Sequence, residues 1–188
     1  MAISPGQAAA ALEEIERTQR RTRISGGYAT ASPHLILWGC LWAVGYAGCG
    51  LLPIARWGLV WLPLVVIGAV GSTWLGSRAT GVASGGSRMS FWRPVGLILS
   101  IALFIGATFS LFRSSDPIPY LVFPALVTGL VYALAGLLAG LPRFAAIGAA
   151  IAIVTLAGSV AAPAFTAFWV AIAGGGGLIL GGWWLRQV

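Results

Sequence analysis

The chain has no lysine and no asparagine, and its 188 residues include one histidine, two cysteines and four carboxylates. Each shortage removes a class of chemistry. The carboxylates are Glu13, Glu14, Glu16 and Asp116, none of them inside an apolar stretch. Proton and cation pathways and ion-coupled transporters place an ionisable group at membrane depth, and this chain has none to place there. Carboxylate-pair catalysis and carboxylate metal sites lack material for the same reason. His34 by itself cannot form a zinc site, which takes three or four ligands; it reads as an interfacial aromatic where the first apolar stretch begins. Cys40 and Cys49 would lie about 13.5 Å apart on opposite faces of a helix. They cannot pair with each other, and their spacing is not that of a CxxC redox motif. No catalytic residue, metal site or cofactor is expected, and the chain reads as non-enzymatic.

What is present is apolar: 59% of residues are hydrophobic, 8% are charged and the mean hydropathy is +0.93. Such a composition cannot surround a core with a water-compatible surface, so it belongs in a bilayer. A span needs about 20 mostly apolar residues, and breaks at Pro, Gly and Arg leave six such lengths, near 35–52, 57–76, 95–112, 120–141, 144–162 and 165–185. The expected fold is an all-α polytopic membrane bundle of six transmembrane helices arranged as three hairpins, preceded by a short amphipathic cytosolic helix. Residues 1–30 form the extension and linker, and 31–188 the membrane domain. More than thirty residues carrying both Glu and Arg precede the first apolar stretch. That is not the layout of a cleavable signal peptide, and the first span is expected to remain as an anchor.

Arginines orient the chain. Arg17, Arg20, Arg21, Arg23, Arg78, Arg88, Arg93, Arg143 and Arg186 fall on one side of the expected topology, and only Arg56 and Arg113 on the other. Under the positive-inside rule both termini are cytoplasmic. The net charge of +7 is thereby accounted for as topology, and no nucleic-acid partner is expected. Lysine and asparagine have A-rich codons; their absence beside abundant Gly, Ala and Arg points to a GC-rich, bacterial genome and an inner (plasma) membrane.

Residues 11–23, ALEEIERTQRRTR, are the only stretch suited to water. Ser4 as N-cap, Pro5 at the first helical position and Gln7 at the third form a capping box, and Gly26 with Gly27 is expected to stop the helix. Glu13 with Arg17 and Glu16 with Arg20 are i,i+4 pairs in the favourable order, acid first. Ala8, Ala11, Leu12, Ile15, Gln19 and Thr22 share one face, with Arg17, Arg20 and Arg21 opposite. Only Leu12 and Ile15 are large there, each contributing roughly 1.5–3 kcal/mol if fully buried, too little for independent insertion among lipid. Two readings follow. The helix packs on its own bundle or lies at headgroup level, with Arg17, Arg20, Arg21 and Arg23 serving topology and anionic lipid. Alternatively Leu12, Ile15 and Gln19 dock a cytoplasmic protein or a second copy.

Within the membrane domain, Pro63 and Gly68 in span two and Pro124 and Gly129 in span four share a Pro-x4-Gly pattern, a hint of hairpins repeated about the membrane normal. Small residues recur every fourth position in each span: Gly39, Ala43 and Ala47; Gly68, Ser72 and Gly76; Ala102, Gly106 and Ser110; Gly129 and Ala133; Ala146 and Ala150; Ala173, Gly177 and Gly181. Such rows let helix backbones approach each other. Gly174, Gly175, Gly176 and Gly177 form either a bare packing surface or a hinge near the midplane. Trp57, Trp92, Trp183 and Trp184 sit at span ends as an aromatic belt, while Trp38, Trp42 and Tyr46 make one stripe along span one.

The segment Pro33-His-Leu35-Ile-Leu-Trp38-Gly39-Cys-Leu-Trp42-Ala-Val-Gly45-Tyr46, preceded by Ile15 and by Gln19, Arg20 and Arg21, resembles a set of small bacterial six-span membrane proteins of unknown function. These share P-x-L-x2-W-G-x2-W-x2-G-Y after a short cytosolic helix. The resemblance covers roughly the first 50 residues. Some of these proteins are encoded beside winged-helix transcriptional regulators, which implies a regulatory pairing; the family supplies no ligand, activity or site residue.

The function expected from these observations is that of a regulatory or partner-binding protein acting through its N-terminal helix, with the bundle sensing the membrane or an apolar ligand. Its partners would be membrane lipid and a cytoplasmic protein or a second copy. The alternative is a transporter or channel for small neutral or apolar solutes, lined by Ser72, Thr73, Ser100, Thr108, Ser110, Thr128, Tyr132, Thr155 or Ser159 facing one another. The orientation is directly measurable: a reporter active only in the cytoplasm, fused to Val188, should give signal, and a periplasmic readout there would overturn it.

Overall fold

The computed structural model describes residues 5–80 and 89–187, all in helices and short connections with no strand among them. Helix α1 is Pro5–Leu51, α2 Trp57–Thr80, α3 Met89–Leu111, α4 Ile118–Ala139 and α5 Pro142–Ala161. The last apolar stretch has three parts: α6 (Thr166–Val170), a π-helical segment (Ala171–Gly176) and α7 (Gly177–Leu185). Among the described residues, five stretches are long and apolar enough to cross a membrane: Ala11–Leu51, Ile54–Arg78, Ile118–Ala139, Pro142–Ala161 and Pro163–Leu185. A shorter apolar stretch, Leu99–Leu111, lies within α3.

The first helix departs from the sequence expectation. Gly26 and Gly27 do not stop it, and the boundary expected at residue 30 falls inside a continuous helix that also runs through Pro33. A glycine costs a helix only about 1 kcal/mol relative to alanine; it ends one when the backbone turns to positive φ, as Gly140 does at φ 67 after α4. Here the residues just beyond the pair draw the chain onward: Tyr28, Ser32 and Leu35 are all buried in the bundle. Ser4, the expected N-cap, lies outside the described residues. At 1.5 Å per residue α1 is about 70 Å long, more than twice a hydrocarbon core of about 30 Å.

The buried face of α1 is a regular 4-3 series: Tyr28, Ser32, Leu35, Gly39, Trp42, Tyr46 and Cys49. Against it lie α6, the π segment and α7 on one side and α2 on the other. The approach to the last helix is backbone to backbone. A methyl group on Gly175 would lie 2.6 Å from Ala43 N, one on Gly39 2.8 Å from Gly175 O, and one on Gly182 2.9 Å from Ser32 O. The α4–α5 pair is equally close, with Gly129 against Gly148 O, Gly136 against Ala145 and Gly148 against Ala133. Gly140 in the left-handed conformation and Pro142 at the start of α5 make their tight turn, Leu141 N–H closing onto Gly136 O at 2.7 Å. By contrast α3 meets α4 through an aromatic cluster, Phe104 and Phe109 against Phe123, with Phe109 also on Tyr120. The α4–α5 and α3–α4 pairings thus differ in kind, one backbone to backbone and the other through aromatic rings.

Not every small-residue row packs. Ala102, Gly106 and Ser110 on α3 are exposed, and so are Ala146 and Ala150 on α5. The α5 contact uses Ala145, Gly148 and Ala152 instead, one residue round the helix.

The run Gly174 to Gly177 is unevenly engaged. Gly174 faces the Trp42 ring, its added methyl 2.9 Å from Cε3; Gly175 abuts Ala43; Gly177 has only Ile151 Cγ1 at 3.4 Å; Gly176 has open space. The π segment ends at Gly176, so the same residues that approach α1 also leave the α-helical register. Gly175→Ala should therefore cost about 1–3 kcal/mol, since Ala43 backbone has to move. Gly176→Ala should be neutral or stabilising by up to about 1 kcal/mol. Unfolding in mild detergent measures both, and equal effects would contradict this packing.

Candidate functional site at the root of the projecting helix

The first roughly five turns of α1 extend beyond the bundle. Residues 11–19 are exposed throughout, with Leu12 61% and Ile15 52% accessible. Leu12 and Ile15 are not covered by the other helices of this chain, and α1 runs on unbroken from them into the bundle. Arg17 and Glu13 form the expected pair at 2.7 Å on the surface. Arg21 is exposed as well, while the side chains of Arg20 and Arg23 lie outside those described, and with them the pair to Glu16. Ala8, Leu12, Ile15, Gln19 and Thr22 follow a 4-3-4-3 spacing. At 100° per residue its mean direction lies roughly 170° from that of the buried series that begins at Tyr28. The exposed seam is thus a second face, not a continuation of the first.

Where the helix enters the bundle, a polar clamp ties four segments together. Tyr28 is 2% exposed; its hydroxyl accepts the Arg143 N–H at 3.2 Å, and its ring lies parallel to Phe144 with centroids 6.4 Å apart. Ser32, fully buried, donates to Gly182 O at 2.7 Å and accepts from Arg186 Nε at 3.0 Å. Arg143 Nη1 donates to Trp184 O at 2.7 Å, and its guanidinium sits 4.8 Å from the Trp184 ring. These bonds add donors to carbonyls in the last turn of α7, where Trp184 O also accepts the Gln187 N–H at 3.3 Å, and they place cations at its negative end.

His34 faces α2. Its Nδ1 lies 3.1 Å from Thr30 O and its Nε2 3.3 Å from Ser72 O. Beside it, Trp38 Nε1 donates to Ser72 Oγ at 3.0 Å. Trp42, Tyr46 and Trp61 continue the stripe in edge-to-face contacts of 5.4 and 5.1 Å, and Trp61 Nε1 reaches Cys49 Sγ at 3.3 Å. Cys49 is buried and Cys40 exposed, both free thiols.

Next to the clamp lies an open cleft of about 590 Å³, walled by Gly26, Gly27, Thr30, Ala31, His34 and Leu35 of α1, Tyr132 of α4 and Phe144 of α5. The Tyr132 and Phe144 rings meet at 5.4 Å. The lining is largely apolar, with the Thr30 and Tyr132 hydroxyls and the His34 imidazole as its polar groups.

The polar side chains named as a candidate solute path do not converge. Thr73, Ser100, Thr108, Ser110 and Ser159 each donate to a carbonyl three or four residues back on their own helix. Ser72 accepts from Trp38, and Thr155 is fully buried with an unpartnered hydroxyl. Tyr28, Ser32 and Arg143 as a clamp, and Trp169 stacked over Gly158 while donating to Val154 O at 2.6 Å, were not singled out from sequence. The 4-3 series starting at Tyr28 was the available signal for the first two.

No protein-family model, curated protein or solved structure matches this chain, so the functional argument rests on this geometry.

The clamp makes a quantitative expectation. Ser32→Ala removes the link between α1, Gly182 and Arg186, and should cost about 1–3 kcal/mol. Arg186→Ala combined with it should cost less than the two separate losses added, because the residues share one network. Strict additivity in detergent unfolding would show that the contact carries no stability.

Proposed function

We propose that this is a non-enzymatic integral membrane protein, of the bacterial inner membrane and with six spans and both termini cytoplasmic, that acts through its N-terminal helix on a cytoplasmic protein or a second copy. The observation that supports this reading is the continuity of α1 from Pro5 to Leu51. One helix carries both the exposed Leu12, Ile15 and Gln19 seam and the buried Tyr28-to-Cys49 face. A rigid helix transmits tilt or rotation along its length, so a change in how the last helix grips α1 moves the seam, and docking at the seam loads the bundle.

Two large apolar residues are too few for a stable coiled coil without a partner that supplies more of its own bulk. That suits a reversible, regulated contact, and it accords with the pairing to transcriptional regulators that the sequence resemblance implies. Transport is the weaker reading because the hydroxyls of Thr73, Ser100, Thr108, Ser110 and Ser159 are bonded to carbonyls of their own helices.

Deleting residues 1–24 is expected to leave the melting temperature of the bundle unchanged while shifting its oligomeric state or releasing its partner. A photocrosslinker at Leu12 or Ile15 in native membranes should give one discrete protein adduct that Ile15→Asp or Leu12→Asp, respectively, abolishes. Lipid adducts alone, or a truncated chain that no longer inserts, would overturn the reading and leave the segment a topology signal.

A further inference from the structure

His34 is the only histidine in the chain, and both of its ring nitrogens face oxygens that can only accept. Nδ1 lies 3.1 Å from Thr30 O on α1, and Nε2 lies 3.3 Å from Ser72 O on α2. A neutral imidazole has one N–H and one lone pair. Whichever tautomer it takes, one of the two contacts then sets a nitrogen lone pair against a carbonyl oxygen, which repels. The imidazolium donates from both nitrogens and satisfies both carbonyls, with hydrogen bonds strengthened by its charge. The pose is that of the protonated ring.

No ion pair holds that proton. The carboxylates are Glu13, Glu14, Glu16 and Asp116, none of them in the cleft that His34 lines. Among the described residues, Tyr132 of α4 is the other titratable group in that lining. On α2 the titratable side chain is Arg78, six residues beyond Ser72, with its guanidinium 3.8 Å over the Trp74 ring. Arg143 of α5 is turned to Trp184 O, and Arg186 beyond α7 to Ser32 Oγ. On α1 itself Tyr28 and Cys40 are each six residues away, Tyr28 bonded to the Arg143 N–H and Cys40 exposed. The ring is half-buried, and the open cleft at the end from which α1 projects gives its proton a way in and out. The rest of the α1–α2 contact carries no charge: Trp38 Nε1 donates to Ser72 Oγ at 3.0 Å, and Gly68 and Gly71 lie against the Trp38 and Leu37 side chains. The His34 bond to Ser72 O is the part of this contact that a proton can make or break.

We propose that His34 is a proton-binding site that latches α2 onto the root of the projecting helix. Protonated, the ring bridges Thr30 O and Ser72 O. On losing its proton to water through the cleft, it keeps the Nδ1–H on Thr30 O, the shorter contact and one within its own helix, and releases Ser72 O. Histidine exchanges its proton between about pH 8 and 5, so the latch closes as the adjoining water acidifies. The proposal goes beyond the partner reading: it concerns a proton and a contact inside the chain and is measured with no partner present, so its failure leaves docking at Leu12 and Ile15 untouched.

The experiment is nuclear magnetic resonance of the full chain in detergent, free of any polyhistidine tag and isotope-labelled at the histidine nitrogens, from about pH 8 to about pH 5.5. One histidine gives one pair of ring-nitrogen signals. At the acid end both should have the imidazolium shift, with both N–H protons slow to exchange with water; at the alkaline end only Nδ1 should carry a proton. The melting temperature should rise by about 3–10 °C over the same acidification. His34→Gln, which can donate but does not titrate, should melt at the same temperature at both ends. Trp38→Phe should melt lower at every pH yet keep the rise. A ring that stays neutral at the acid end, an Nε2–H tautomer at the alkaline end, or a rise that persists in His34→Gln would each overturn the latch. Loss of the rise in Trp38→Phe would overturn it too, by assigning the response to the Trp38–Ser72 bond. Should His34→Gln fold poorly, the wild type decides: the melting rise has to follow the ring's own titration, and separate midpoints would overturn the proposal.

Discussion

Everything in this bundle depends on how closely the last helix lies against the first. Lipid tails are as apolar as leucine, so burying side chains between helices gains little over leaving them in the bilayer; association has to come from contact density and from polar bonds with no lipid substitute. Gly39, Gly175 and Gly182 bring the two backbones together between Ser32 and Ala43 of α1, and Ser32 fixes their register at one end through Gly182 O and Arg186. The π segment belongs to the same constraint. A wider turn at Ala171–Gly176 is tolerated where glycines already weaken the α-helical preference, and it is there that Gly174 and Gly175 meet Trp42 and Ala43. The other pairings radiate from this one: α2 onto the aromatic stripe of α1, α5 onto α7, α4 onto α5.

The coarse architecture was legible because hydrophobic length is a strong signal in a chain with so few charges. The turn between α4 and α5 was readable too, since Gly and Pro at 140 and 142 leave the backbone few options. The end of the first helix was not. Gly26 and Gly27 look like a stop only if the residues after them have nothing to gain from staying helical. The gain lies in Tyr28 and Ser32, whose partners Arg143, Gly182 and Arg186 are more than a hundred residues away. A local pattern cannot weigh a distant partner.

The small-residue rows failed in the opposite way. With 27 glycines and many alanines, spacing by four occurs on almost every face, so the pattern is compatible with packing without selecting it. Ala146 and Ala150 satisfied the pattern and point outward, whereas Gly148, which belonged to no proposed row, bears directly on Gly129 and Ala133. For the site, the exposed Leu12 and Ile15 seam was visible as a periodicity. The cleft at its root was not, because its walls come from three helices and only α1 contributes more than one residue.

The packing of α1 against α7 also sets an order of assembly. As the chain leaves the ribosome, α1 is made well before the helix that covers it, so its Tyr28-to-Cys49 face waits with only α2 against it while more than a hundred residues are made. The α4–α5 pair, joined by a two-residue turn, can close as soon as it is inserted, but Ser32 gains Arg186 only after 154 further residues have been made. Contacts so far apart in sequence form slowly. Until α7 is in place, the glycine-lined flank of α1 faces lipid and not a helix.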